Sequence, residues 1–152
     1  TAIQGMDFFF RKIVRDNGAT LMNLGMEIKN FCESSGAFTD EKAKLLKALG
    51  DFQGIITTLV GYAMASQSKA EEIYKVGLNR TRALFAAGDV VIGWLLLRQA
   101  EIAATKGSDE FYLGKIAAAK HFINVVLPHL TAERKIAEST DGSIMELPEK
   151  AF

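Results

Sequence analysis

The chain has 152 residues, the size of one domain that buries roughly two thirds of its unfolded surface. Apolar residues make up 49% and charged residues 24%, which excludes a disordered or collagen-like polymer. Lys plus Arg equals Asp plus Glu at 18 each, so no global field attracts a polyanion and nucleic acid is not an expected partner.

Helical spacing recurs along the whole chain, and no stretch shows the sustained alternation of a half-buried strand. Ile3, Met6, Phe9, Phe10, Ile13 and Val14 define a first helix over about residues 2–16, closed by Asn17-Gly18, a pair suited to a left-handed cap. Phe8-Phe9-Phe10 covers nearly the whole circumference of that helix, so at least one ring is expected to face a partner surface. Thr20 is the expected N-cap of a second helix carrying Leu21, Leu24, Ile28, Phe31 and Cys32 and ending before Gly36. Thr39, followed by Asp40 and Glu41, opens a third, with Leu45, Leu49, Phe52, Ile56 and Leu59 at core spacing and an end at Ser66-Gln67-Ser68.

A fourth helix is predicted over about 69–106, holding Ile73, Val76, Leu84, Val91, Leu95 and Ile102, with a bend at Gly88-Asp89 and a stop at Gly107. Ser108, Asp109 and Glu110 mark the start of a fifth, whose inward stripe is Ile116, Ala119, Phe122, Ile123, Val126 and Leu130. Pro128 lacks a backbone donor and crowds the preceding turn, so residues 129–138 are expected to leave at a new angle. Ser139 to Phe152 reads as an extended tail. Short connections between consecutive helices give an all-α, up-and-down bundle of about five helices. Glycines within these helices, Gly25, Gly50, Gly54, Gly61, Gly77, Gly93 and Gly114, are each expected to admit a close helix or a bulky neighbour such as Trp94.

No catalytic constellation emerges from the residues. His121 and His129 lie eight apart across Pro128, and neither has Asp, Glu or His three or four residues before it, so no metal site is assigned. Cys32, the only cysteine, excludes an internal disulfide, suits a reducing cytosol and belongs to a core stripe where thiols are inert. Asp40-Glu41, Glu71-Glu72 and Asp109-Glu110 all fall in first helical turns, where they complement the helix dipole. Arg80, Arg82, Arg98, Lys115 and Lys120 are candidates for an anionic or membrane-surface patch. The longest apolar stretches, Ile55–Ala65 and Val90–Leu97, fall short of the ~20 residues that span a bilayer.

Two segments carry a more specific signal. Thr1-Ala2-Ile3-Gln4-Gly5-Met6-Asp7, continuing to Arg11-Lys12, resembles the stretch after the catalytic base of acyl-CoA dehydrogenases, roughly Tyr-Glu-Gly-Thr-Asn-Gly-Ile-Gln-Ala-x-Asp-Leu-x-x-Arg-Lys. Phe111-Tyr112-Leu113-Gly114-Lys115-Ile116 through Phe122, with Val126-Leu127-Pro128 and Ile144-Met145-Glu146-Leu147-Pro148, resembles the added C-terminal helical domain of the long bacterial type, which includes methylthiopropanoyl-CoA dehydrogenases. Phe9-Phe10 departs from the usual Val-Gly, and Ala2 stands where relatives carry Gly or Gln.

The resemblance implies that residues 1–17 end a flavoenzyme core, that 18–152 form a C-terminal bundle and tail, and that the glutamate base lies just upstream of Thr1. A start at Thr1 inside an amphipathic pattern agrees with a cut within a longer protein. It further implies an FAD enzyme, cytoplasmic and homo-oligomeric, that converts an acyl-CoA to a trans-2-enoyl-CoA and passes electrons to another carrier. Thr1 and Ala2 are then the cofactor-binding candidates, with no catalytic residue in the chain itself. The alternatives are a free-standing helical interaction module and a peripheral membrane-contact domain.

Overall fold

A computed structural model describes residues 1–151. The described residues contain helices and turns and no strand, so the all-α bundle stands. The first helical run is α1 (Ala2–Asp7), continued without a break by a π-helical segment (Phe8–Ile13) and a 3-10 turn (Val14–Asp16). Asn17 and Gly18 close it in the left-handed region, at φ 55° and 76°, as their side chains dictate. Helix α2 (Ala19–Glu33) follows, and its cap differs from expectation. Thr20 lies inside the helix, and Asp16 does the capping, accepting from the backbone N–H of Gly18 and Thr20 at 3.0 Å each and from the Thr20 hydroxyl at 2.6 Å. Three donors converge on one carboxylate and hold the Asp16 pKa below the usual value, the Thr20 hydroxyl contributing most.

Helix α3 (Thr39–Ala65) is preceded by Phe38 at φ 64°, so the Thr39 hydroxyl does not cap it; Asp40 and Glu41 do occupy its first turn. A 3-10 turn (Ala70–Glu72) leads into α4 (Ile73–Ala104), which remains helical through Gly88-Asp89 and ends before Gly107 at φ 107°. In α5 (Glu110–His121) the cap is Asp109, whose carboxylate accepts from the Phe111 N–H at 2.9 Å. A second π turn (Phe122–Val126) then absorbs the proline, and α6 (His129–Glu138) leaves from Pro128. The tail is not simply extended: it carries 3-10 turns at Ser143–Met145 and Glu149–Ala151. Phe152 lies outside the described residues.

The core runs between α3 and α4, with α5 and α6 closing it and the first helical run packed against α4. Phe9, Leu45, Ile55, Leu59, Val76, Leu97 and Ile123 are fully buried. Among the phenylalanine triplet, Phe9 fills the core while Phe8 and Phe10 are half-buried against it. Gly93 admits a neighbour closely, since a Cβ there would stand 3.2 Å from a methyl of Leu127. The same expectation fails at Gly50, Gly61 and Gly114, which have open space, and Trp94 is not the partner of any of the seven. Gly54 is overlain by the Arg134 side chain, and the closest approach of another helix's backbone falls at Gly5, where a Cβ would lie 2.8 Å from the Arg80 carbonyl oxygen, so the first helix touches the α4 backbone directly.

Helix α4 also revises the membrane reading. Contiguous apolar stretches are short, yet the helical run Ala70–Ala104 is by length and composition long and apolar enough to cross a bilayer, because its charges lie mostly toward its ends and leave Asp89 alone between Ala83 and Leu97; one third of its most apolar window is buried. It packs in the middle of the bundle, and its buried residues Val76, Ala83, Val90 and Leu97 recur every seven.

Candidate functional site

The main concavity is a groove of about 920 Å³ between the first helical run, α2, α3 and α4. Phe8, Ile13, Leu24, Ile28, Phe52 and Val90 form much of its wall. Asn17, Gln53 and Thr57 are the polar side chains there, and none of the lining residues is charged. A site without a titratable group cannot move a proton or attack a carbonyl; it can only receive apolar surface.

The charged groups are instead used to tie helices together. Asp51 of α3 accepts from the Thr131 hydroxyl of α6 at 2.6 Å and from Lys47 Nζ at 2.8 Å, with Arg134 at 3.7 Å. Burial alone would raise the Asp51 pKa, but those hydrogen bonds and cations win and hold it below the usual carboxylate value. Lys42, almost fully buried, pairs with Glu101 of α4 at 2.6 Å, donates to the Ser34 hydroxyl at 3.1 Å and lies over the Phe31 ring. Asn79 of α4 donates to the Thr140 hydroxyl at 2.9 Å, and the Tyr62 hydroxyl donates to the Ala137 carbonyl at 2.8 Å, fastening the start of the tail. These three clamps escaped sequence reasoning, although Lys42 does occupy the heptad stripe that continues through Leu45, Leu49 and Phe52.

The basic residues do not form one patch. Arg80 donates to the Ala2 carbonyl at 3.1 Å, Arg82 pairs with Glu133, Arg98 lies over Trp94, and Lys115 lies over Phe111. Lys120 stands 3.8 Å from Glu41 and over Phe38. His121 and His129 are both exposed, and among the described residues no three His, Cys, Asp or Glu side chains converge. The Cys32 thiol is half-buried, and burial pushes its pKa up to about 11. Asp89 is also pushed up by burial, with His129 opposing. The Trp94 indole N–H is buried without a partner, and nothing in the structure explains it.

Thr1 and Ala2 are exposed at the open start of the first helical run. The Thr1 carbonyl accepts from the Gly5 N–H and the Ala2 carbonyl from the Arg80 guanidinium. Neither residue lines the groove.

Residues 24–148 match the family described as acetyl-CoA dehydrogenase C-terminal like. The chain belongs to that family. Along its whole length it is 47% identical to a broad-specificity linear acyl-CoA dehydrogenase, FadE5, of Mycobacterium tuberculosis, and spans 26% of that protein. Two butyryl-CoA dehydrogenases of Syntrophomonas wolfei are 32% and 28% identical across 99% of the chain, which spans 25% of each. This acyl-CoA dehydrogenase C-terminal domain thus corresponds to about a quarter of the curated relatives it matches.

Proposed function

We propose that the chain is the C-terminal helical part of an FAD-dependent acyl-CoA dehydrogenase that converts an acyl-CoA to its trans-2-enoyl-CoA. The carrying observation is that the entire chain aligns at 47% identity with a quarter of a broad-specificity acyl-CoA dehydrogenase. In this reading the glutamate base, the flavin and the acyl pocket belong to the preceding part of the polypeptide. Residues 1–17 end that core and 18–152 form the added domain, a division supported by the start of the family match at residue 24. Thr1 and Ala2, exposed at the start of the first helical run, would touch the nucleotide end of the flavin through backbone groups. The enzyme is cytoplasmic, self-associates and hands electrons to a separate acceptor; the domain's own role is to support the core and subunit contacts.

The test is to isolate the native protein that contains this chain and record its mass and visible spectrum. A species several times heavier than 16.6 kDa, with flavin absorbance that bleaches on adding acyl-CoA, is expected. A native protein of 16.6 kDa without flavin would overturn the proposal and favour a free-standing interaction module.

A further inference from the structure

Helix α4 carries two heptad stripes instead of one. The buried stripe is Val76, Asn79, Ala83, Ala86, Val90, Gly93, Leu97 and Ala100. Two residues out of phase, about 200° round the helix, runs a second: Tyr74, Leu78, Thr81, Phe85, Gly88, Ile92, Leu95, Gln99 and Ile102. It contains no charge, keeps the three-and-four spacing of a helix-packing seam throughout, and extends about 42 Å. Its six large apolar side chains are 42% to 61% exposed. At roughly 200 Å² each and about half exposed, they present on the order of 600 Å², the upper end for a patch on a free-standing protein. At Gly88 the stripe runs into the apolar groove, which Gly88 also lines. A second uncharged, largely apolar stripe opposite the buried one is the pattern of a helix that the finished protein covers on both sides.

What covers the second stripe is indicated by the first helical run. It packs along the flank of α4, with Gly5 against the Arg80 backbone and the Ala2 carbonyl held by the Arg80 guanidinium, one residue from Thr81. Any polypeptide preceding Thr1 therefore arrives beside this stripe. In the relatives about three quarters of the length lies outside the matched region, ample to cover it.

We propose that the Tyr74–Ile102 stripe of α4 is the docking surface for the polypeptide that precedes Thr1 in the longer relatives. A helix of that segment lies along α4 and its side chains enter the groove at Gly88. The inference rests on the reading of the chain as part of a longer enzyme. It assigns to the domain a definite intramolecular seam, distinct from any contact between subunits.

The experiment uses the full-length protein with Phe85→Cys or Ile92→Cys, labelled with a maleimide and followed by peptide mass spectrometry. Cys32 contributes little background, since its thiol pKa is about 11. Both introduced thiols should react at least ~10-fold more slowly in the native protein than in guanidinium, at every protein concentration and without lipid. Hydroxyl-radical footprinting of Tyr74 and Phe85 in the unsubstituted protein should show the same protection. Labelling at the unfolded rate would overturn the proposal. So would protection that disappears on dilution to monomer, which assigns the stripe to a second copy, or protection that requires anionic vesicles. Flavin absorbance of the same sample separates the two readings: rapid labelling of a flavin-containing enzyme removes the seam alone, and protection in a flavin-free long protein keeps the seam while removing the flavoenzyme.

Discussion

Replacing Asp51 with alanine should unfasten α6 from α3. The side chain is 10% exposed and accepts from Thr131 at 2.6 Å and from Lys47 at 2.8 Å. Lys47 is 63% exposed, so its pair with Asp51, one helical turn away, is worth no more than ~0.5 kcal/mol. The Thr131 bond is made to a charged acceptor in a mostly buried site and is worth ~1.5–3 kcal/mol, partly because its loss strands the hydroxyl. The expected loss is therefore about 2–3 kcal/mol, or roughly 5–10 °C in Tm for a chain of this size.

The assay is urea unfolding of wild type and variant across pH, comparing midpoints at equal m-value. The folded carboxyl pKa lies below the ordinary value of 3.8, so its contribution is present above that value and is lost as pH falls through the folded pKa. The gap between wild type and Asp51→Ala should be flat from about pH 8 to 5 and close below about pH 4. A gap under ~0.5 kcal/mol at neutral pH, or one that widens in acid, would refute the assignment of Asp51 as the clamp.

Phe9→Ala removes a fully buried ring and should lower stability by ~3–5 kcal/mol in urea unfolding, while Phe10→Ala, half-buried, should cost less than half as much. Cys32, with its pKa raised from 9.0 to about 11, should alkylate about 100-fold more slowly at pH 8 in the folded protein than in urea, because its thiolate fraction falls by that factor. Asp89→Asn should raise Tm at neutral pH and leave it unchanged near pH 3: burial raises the folded pKa, so the ionised carboxylate opposes folding only above the unfolded value.

Helix boundaries were legible wherever a single residue type compels them. Asn17 and Gly18 tolerate positive φ, Asp109 caps through its own carboxylate, and Pro128 cannot continue a ladder, and all three act as read. Boundaries failed where two residues compete for one role. Thr20 has the chemistry of a cap, but Asp16 reaches the same N–H groups with a full negative charge and wins. The glycines show another limit: Gly50 and Gly93 look alike in sequence, and the tertiary path of Leu127 decides that one is tightly packed and the other open. The apolar groove was not legible for the same reason, since it exists only where four helical elements meet. Function came from a resemblance carried by Ile3-Gln4, Asp7, Arg11-Lys12 and Phe111–Phe122, not from any cluster of reactive side chains.

The two π turns explain how the bundle reconciles its ends with an unbroken α4. A π turn adds one residue to the helical register and rotates everything after it by about 100°. At Phe122–Val126 this leaves the Leu127 N–H bonded to the Phe122 carbonyl five residues back, at 3.3 Å, and brings Ile123 and Leu127 together onto Gly93. Leu130 is then buried as well, and Pro128, which has no N–H to satisfy, begins α6 at its exposed corner. At Phe8–Ile13 the same device buries Phe9 and Ile13 while Gly5, one turn earlier, rests on the Arg80 backbone. Both adjustments lie on helices that pack against α4, and α4 itself has none. An uninterrupted α-helix keeps both of its stripes in register over its whole length, and the two register shifts fall instead on the helices packed against it.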